Sequence, residues 1–239
     1  MLHRFANPAR FSRIAARVLP WSTALTGLLF VAGIYFALFA SPADYQQGDT
    51  VRIMYVHVPS AWMAMGAYTF IAVMSATSLI WKHPLADIAA RAAAPLGAGF
   101  TVIVLTTGSL WGKPTWGTWW VWDARLTSVL VLFFLYLGHI ALTHAFDNPQ
   151  RGAKAAAVLA LVGFVNIPII KFSVDWWNTL HQPASLTRLD RPAIDPAMLT
   201  PLLLMGLAFM AYFITMLLIR MRADLNAARA RALQLSAAE

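Results

Sequence analysis

The 239-residue chain has no cysteine and little charge, with only 12% of its residues Asp, Glu, Lys or Arg, about half the share usual in a soluble domain. Without cysteine there can be no disulfide, no thiol redox chemistry, no Cys-ligated metal centre and no Cys-x-x-Cys-His attachment site. No Gly-x-x-x-x-Gly-Lys-Ser/Thr phosphate loop occurs, so any ATP hydrolysis belongs to a partner. There is no internal repeat and no matched pair of broken helices of the kind that marks many secondary transporters.

Apolar residues are abundant, at 59%. They gather in six runs, over residues 22–40, 58–81, 92–110, 126–146, 155–170 and 197–219, each near the 17 to 25 residues that cross a bilayer as helix. The expected fold is therefore an all-α integral membrane protein, a single six-helix domain over residues 1–239. Asn166 and Pro168 make the fifth run the shortest. The first run follows Arg4, Arg10, Arg13 and Arg17; it is too long for a signal h-region and lacks a strong small-residue cleavage site, so it reads as a retained helix.

Charge predicts the orientation. With the N-terminus cytoplasmic, the inner segments hold Arg4, Arg10, Arg13, Arg17, Lys82, Arg91, Arg151, Lys154, Arg220, Arg222, Arg229 and Arg231 out of 18 Lys and Arg in all, as the positive-inside rule requires. Asp87, Asp147, Asp224 and Glu239 are the inner acids, so the whole net charge of +8 falls on the inner face. This basicity is topogenic, with attraction to anionic lipid in the bilayer, and calls for no nucleic acid. Both termini are expected inside, and segments 41–57, 111–125 and 171–196 outside.

Five of the ten tryptophans, Trp111, Trp116, Trp119, Trp120 and Trp122, fall within twelve residues of the second outer segment. Indoles combine a flat apolar face with one donor. In a segment broken by Gly112, Pro114 and Gly117 they suit a platform for a large flat ligand, a membrane-interface belt being the competing account. Trp21, Trp62 and Trp81 read as helix-end or packing residues. His57 closes the first outer segment and His181 lies in the third. Two imidazoles flanking an aromatic surface are what a haem needs, as axial nitrogens for iron and flat contacts for the macrocycle. His3 and His83 lie on the inner side, while His139 and His144, five apart in the inner half of the fourth helix, point to different faces.

The string from Trp111 to Ser128, with Trp119, Trp120, Val121, Trp122 and Asp123 at its centre, resembles the tryptophan-rich WWD signature of haem-handling proteins of cytochrome c biogenesis. Together with residues 52–59 and 173–182 and the six-helix length, it is similar to the CcmC family, the haem-handling subunit of the cytochrome c maturation system. That resemblance implies outer-face loops forming a site for haem b, with His57 and His181 as axial ligands. It implies presentation of this haem on the periplasmic side of the bacterial inner membrane to the haem chaperone CcmE, whose own histidine makes the covalent bond. Release then depends on the ABC-type pair CcmA and CcmB with the small membrane protein CcmD. On this account the chain has a lyase-like transfer role but no catalytic nucleophile of its own.

Within that frame Trp111, Trp116, Trp119, Trp120 and Trp122 would pack on the macrocycle. Arg52, Arg125 and Arg188 are candidates for propionates or a partner's acidic surface, with solvated charge as the alternative. Asp123 is either a haem contact or the N-cap of the fourth helix. Two other classes compete. One is a permease for haem or another solute, the membrane subunit of an ABC-type exporter, which should carry polar groups at midplane, where only His139 and Asn166 stand. The other is a cytochrome b subunit, which would hold its histidines within the bilayer.

Overall fold

The computed structural model describes residues 7–181 and 194–238; the expectations placed on His3, Arg4, Gln182 and Arg188 lie outside them. Helix α1 (Pro8–Tyr35) starts where Asn7 Oδ1 accepts from the amides of Ala9 and Arg10 and Pro8 supplies a preset φ. It finishes in a π-helical turn, Phe36–Ala40, closed by Ser41 N donating to Phe36 O at 2.9 Å. A 3-10 turn, Asp49–Ile53, leads into α2 (Met54–Trp81). Then follow α3 (Pro84–Trp116), α4 (Ala124–His144), α5 (Pro149–Gly163), α6 (Asn166–Trp176) and α7 (Pro196–Ala238). With α5 and α6 taken together, six helical segments are long and apolar enough to cross a membrane.

The α2–α3 pair is the most extensive contact, α1 lies along α7, and α4 packs on α3, α5 and α6. Association of apolar helices in an apolar solvent relies on close approach and on polar groups between them. The buried alanines of α3, Ala89, Ala90, Ala92, Ala93 and Ala94, provide the first. Gly97 receives the Tyr136 ring and Gly163 the Tyr68 hydroxyl so closely that any Cβ would collide. Tyr136 O–H then donates to Ala64 O at 2.6 Å, tying α4 to α2. On the far side, the Thr26 and Thr215 hydroxyls bond at 3.1 Å between α1 and α7, and Gly33 accommodates Met205. Outward apolar residues such as Trp21, Leu28 and Val31 are left for lipid.

At the tryptophan end of the bundle two boundaries depart most from the hydropathy reading. Residues 111–116, expected as loop, continue α3. The stop is Gly117, whose φ of +76° and amide bond to Lys113 O form a left-handed cap. Pro114 is tolerated because the lost bond lies in the last turns, at the bundle end. The fifth span breaks at Phe164 and Val165 and then runs on to Trp176. Pro168 has no amide to offer Phe164 O and its ring crowds that carbonyl; Asn166 Nδ2 restores cohesion by donating to Ser128 O of α4 at 2.9 Å. The third connecting segment thus begins about one and a half turns later than residue 171.

Candidate functional site

The tryptophan end of the bundle gathers the loop before α2, the end of α3, the start of α4 and the end of α6. His57 sits in the first turn of α2, facing α3. Its Nδ1 lies 2.9 Å from Thr107 Oγ1. The single Thr107 hydroxyl proton is committed to Ile103 O at 2.6 Å, so the hydroxyl can only accept from the imidazole. In the neutral ring this puts the proton on Nδ1 and leaves the lone pair on Nε2. A Cβ on Gly108 would stand 3.0 Å from His57 Cε1, so the absence of a side chain there is what lets the ring lie flat on α3. One turn on, the Trp111 ring meets the imidazole edge-on at 5.8 Å between centroids.

Trp111 is itself held from the first loop. Asp44 Oδ1 accepts from the amides of Gln46 and Gln47, both at 2.8 Å, and Gly48 at φ +57° completes the turn. Gln47 Oε1 then accepts from Trp111 Nε1 at 2.8 Å. Arg52 does local work too: it pairs with Asp49 at 3.0 Å and donates to Ala37 O and Leu38 O at 2.8 and 2.6 Å, covering carbonyls of the π turn.

His181 packs its ring edge-on to Trp116 at 4.9 Å. Asp123 has two tasks. Its Oδ1 accepts from Leu126 N at 2.8 Å as the N-cap of α4, while Oδ2 lies 3.7 Å from His181 Nδ1. That is beyond hydrogen-bond reach, and among the described residues both atoms are buried without a hydrogen-bond partner, as is Trp120 Nε1. Burial pushes the His181 imidazole down to about 4, with the Arg125 charge adding to the shift and Asp123 opposing it. The ring is therefore neutral at neutral pH, able to offer a lone pair, and its contact with Asp123 is an unmade hydrogen bond rather than an ion pair. His57 and His181 lie within electrostatic range of each other and of Arg125, which gathers the four residues into one cluster.

Arg125 spans α4 and α6, donating from Nε to Ser173 Oγ at 3.1 Å and from Nη2 to Ile170 O at 3.4 Å. Trp119 and Trp122 stand outermost, 54% and 76% exposed. Lys113 Nζ lies 5.9 Å from the Trp119 ring centroid, and Trp120 and Trp122 meet edge-on at 5.4 Å. The result is an open aromatic shelf with an imidazole against Trp111 and another against Trp116.

His139 does not join it. Fifteen residues along α4 from Ala124, it stands about 22 Å from that helix start, buried beside a cavity it lines with Ser75, Asp87, Arg91 and Thr143. Thr107, Gly108 and Gln47 do not stand out in the sequence, since each looks like an ordinary residue of a span or loop. The one available signal was the four-residue spacing of Thr107 and Trp111, which puts them on one helix face.

A family profile described as CcmC, Heme exporter protein C, matches residues 1–236. Heme exporter protein C of Bradyrhizobium diazoefficiens is 56% identical over 230 residues, covering 96% of this chain and 87% of the relative. Its counterpart in Escherichia coli K12 is 49% identical over 221 residues, with 92% and 89% covered. A putative cytochrome c biosynthesis ccmC-like mitochondrial protein of Marchantia polymorpha is 48% identical over 187 residues, 78% of each chain.

Proposed function

Because the chain belongs to the CcmC family, that of heme exporter protein C, we propose that it holds haem b as cargo between His57 and His181 and hands it to a chaperone. As a multi-pass membrane protein with a haem-handling role in cytochrome c biogenesis, it works on this reading at the periplasmic face of the bacterial inner membrane. Both of its termini are then cytoplasmic. The receiver is CcmE, and CcmA, CcmB and CcmD are the assembly that releases the loaded chaperone.

The observation that carries this reading is the matched setting of the two imidazoles. Each is set edge-on against a tryptophan from the last turns of α3, Trp111 for His57 and Trp116 for His181. Each also turns Nδ1 toward an oxygen of the protein, which leaves Nε2 as the nitrogen for iron. Three buried polar atoms without a hydrogen-bond partner among the described residues, on Trp120, Asp123 and His181, fit a site that finishes its hydrogen bonding when cargo is present. The open shelf suits a ligand that has to be passed on. Arg52 and Arg125 are engaged by backbone oxygens, the Asp49 carboxylate and the Ser173 hydroxyl, so propionate contact would use their remaining N–H groups.

Replacing Trp119 and Trp122 together by alanine removes the exposed half of the shelf without touching buried packing. Bound haem and chaperone loading are expected to fall several-fold at unchanged membrane abundance, measured by pyridine haemochrome and by haem staining of CcmE. Unaltered haem content would return these indoles to an interface belt. Gly108→Ala, which forces a methyl against the His57 ring, is expected to reduce haem retention at normal abundance. Retention equal to that of the unsubstituted protein would detach His57 from the site.

A further inference from the structure

The two histidines are not held alike. His57 is fixed by three contacts: Nδ1–H donates to Thr107 at 2.9 Å, Gly108 lets the ring seat closely, and the ring of Trp111, anchored by Gln47, packs against it. All of these contacts come from the regular helices α2 and α3 or from a loop pinned to them. His181 lies beyond the last residue of α6, outside any helix. Its Nδ1 faces Asp123 Oδ2 at 3.7 Å, and among the described residues neither atom has a hydrogen bond.

We infer that His57 is the permanent ligand and His181 the one that lets go, with Asp123 the positioning residue that governs its hold and Thr107 the positioning residue that makes His57 permanent. The inference rests on the axial-ligand reading above and adds to it a direction of release. A carboxylate behind an imidazole N–H strengthens the nitrogen that faces the metal. When the gap between Asp123 and His181 closes, the neutral imidazole donates to an anion and binds iron firmly. When the gap opens to the distance seen here, that support is lost and the ligand position on the His181 side is free for a partner's group. Thr107 cannot switch in this way, because its proton is tied to Ile103 within the same helix.

Asp123 also caps α4 through its other oxygen, so its replacement has to separate the two roles. Asn and Ser both cap helices well, and neither brings a negative charge to His181. The test uses the full-length protein purified with haem, reduced, with carbon monoxide as probe; the gas binds ferrous haem only after an axial ligand has left.

At saturating carbon monoxide, Asp123→Asn and Asp123→Ser should each raise the binding rate about tenfold or more, with helix content and abundance unchanged. Thr107→Val should leave that rate within about twofold, since the ligand that departs is not the one it supports. Its effect should appear instead in the complex, where His57 lies opposite the gas: the Fe–CO stretching band shifts in Thr107→Val and returns in Thr107→Ser. The wild-type band should coincide with that of His181→Gly and differ from that of His57→Gly.

Coincidence with His57→Gly reverses the assignment and overturns the proposal, as do wild-type rates in both Asp123 variants. Low-spin spectra that persist in both histidine variants overturn the axial reading itself, and the inference with it. Low-spin spectra lost in both, combined with wild-type rates in the Asp123 variants, refute only the unequal hold.

Discussion

His57→Gly and His181→Gly proteins each lose the low-spin haem spectrum of the parent and load little or no chaperone, and millimolar imidazole restores part of both. A ligand removed from iron leaves a vacant coordination position that free imidazole can enter, while the second histidine and the tryptophan shelf still retain some haem. The loss in haem affinity is expected to be at least the 10- to 100-fold seen when a ligand's supporting partner alone is removed. His139→Ala is the control, because it changes an imidazole about 22 Å along α4 from the helix start beside Asp123. Its haem spectrum should be that of the parent. Absorption spectra of the purified variants decide the matter; wild-type spectra in both glycine variants would mean that some other group binds the iron.

Gly97→Val is expected to produce the largest loss of stability. The Tyr136 ring occupies the space of any Cβ at this position, and Tyr136 is fully buried. A side chain here displaces the ring, costing about 1–3 kcal/mol from overpacking. It also breaks the bond to Ala64 O, leaving the buried Tyr136 hydroxyl unpaired at about 1–3 kcal/mol more. Gly99→Val lies two residues on in the same helix with nothing within 4 Å of its Cβ, so it serves as the matched substitution. Thermal unfolding in detergent should show a clear drop for the first and little change for the second. Equal melting temperatures would mean that the α3–α4 seam is looser than described.

The spans were legible in the sequence because a bilayer leaves a backbone few alternatives to helix, and hydropathy reports that constraint directly. Their ends were less legible, since they depend on single residues acting through geometry. Gly112 and Pro114 looked like loop residues, yet α3 passes through both and stops at Gly117, the one of the three with a positive φ. Asp123 was read as either a cap or a ligand-site residue; the structure gives its two oxygens separate neighbours, one in each direction. Trp111 and Trp116 stood out by composition alone, whereas Thr107, Gly108 and Gln47 gain meaning only from the packing of α2 on α3 and the turn at Asp44. The contact of Arg125 with Ser173 was hidden because the fifth span reaches past its expected end to Trp176.

The pairing of α1 with α7 sets a timetable for the growing chain. These two helices are joined by Thr26 and Thr215, 189 residues apart, so the first span to leave the ribosome has its natural neighbour made last. At about 5–20 residues per second, translation separates the two threonines by roughly 10 to 40 seconds. Throughout that interval α1 stands in lipid with its inner stripe, Thr26 and Gly33, uncovered. During the wait the Thr26 hydroxyl can stay bonded to Ser22 O, 2.7 Å away within α1, which lets the span stand in lipid until synthesis delivers α7.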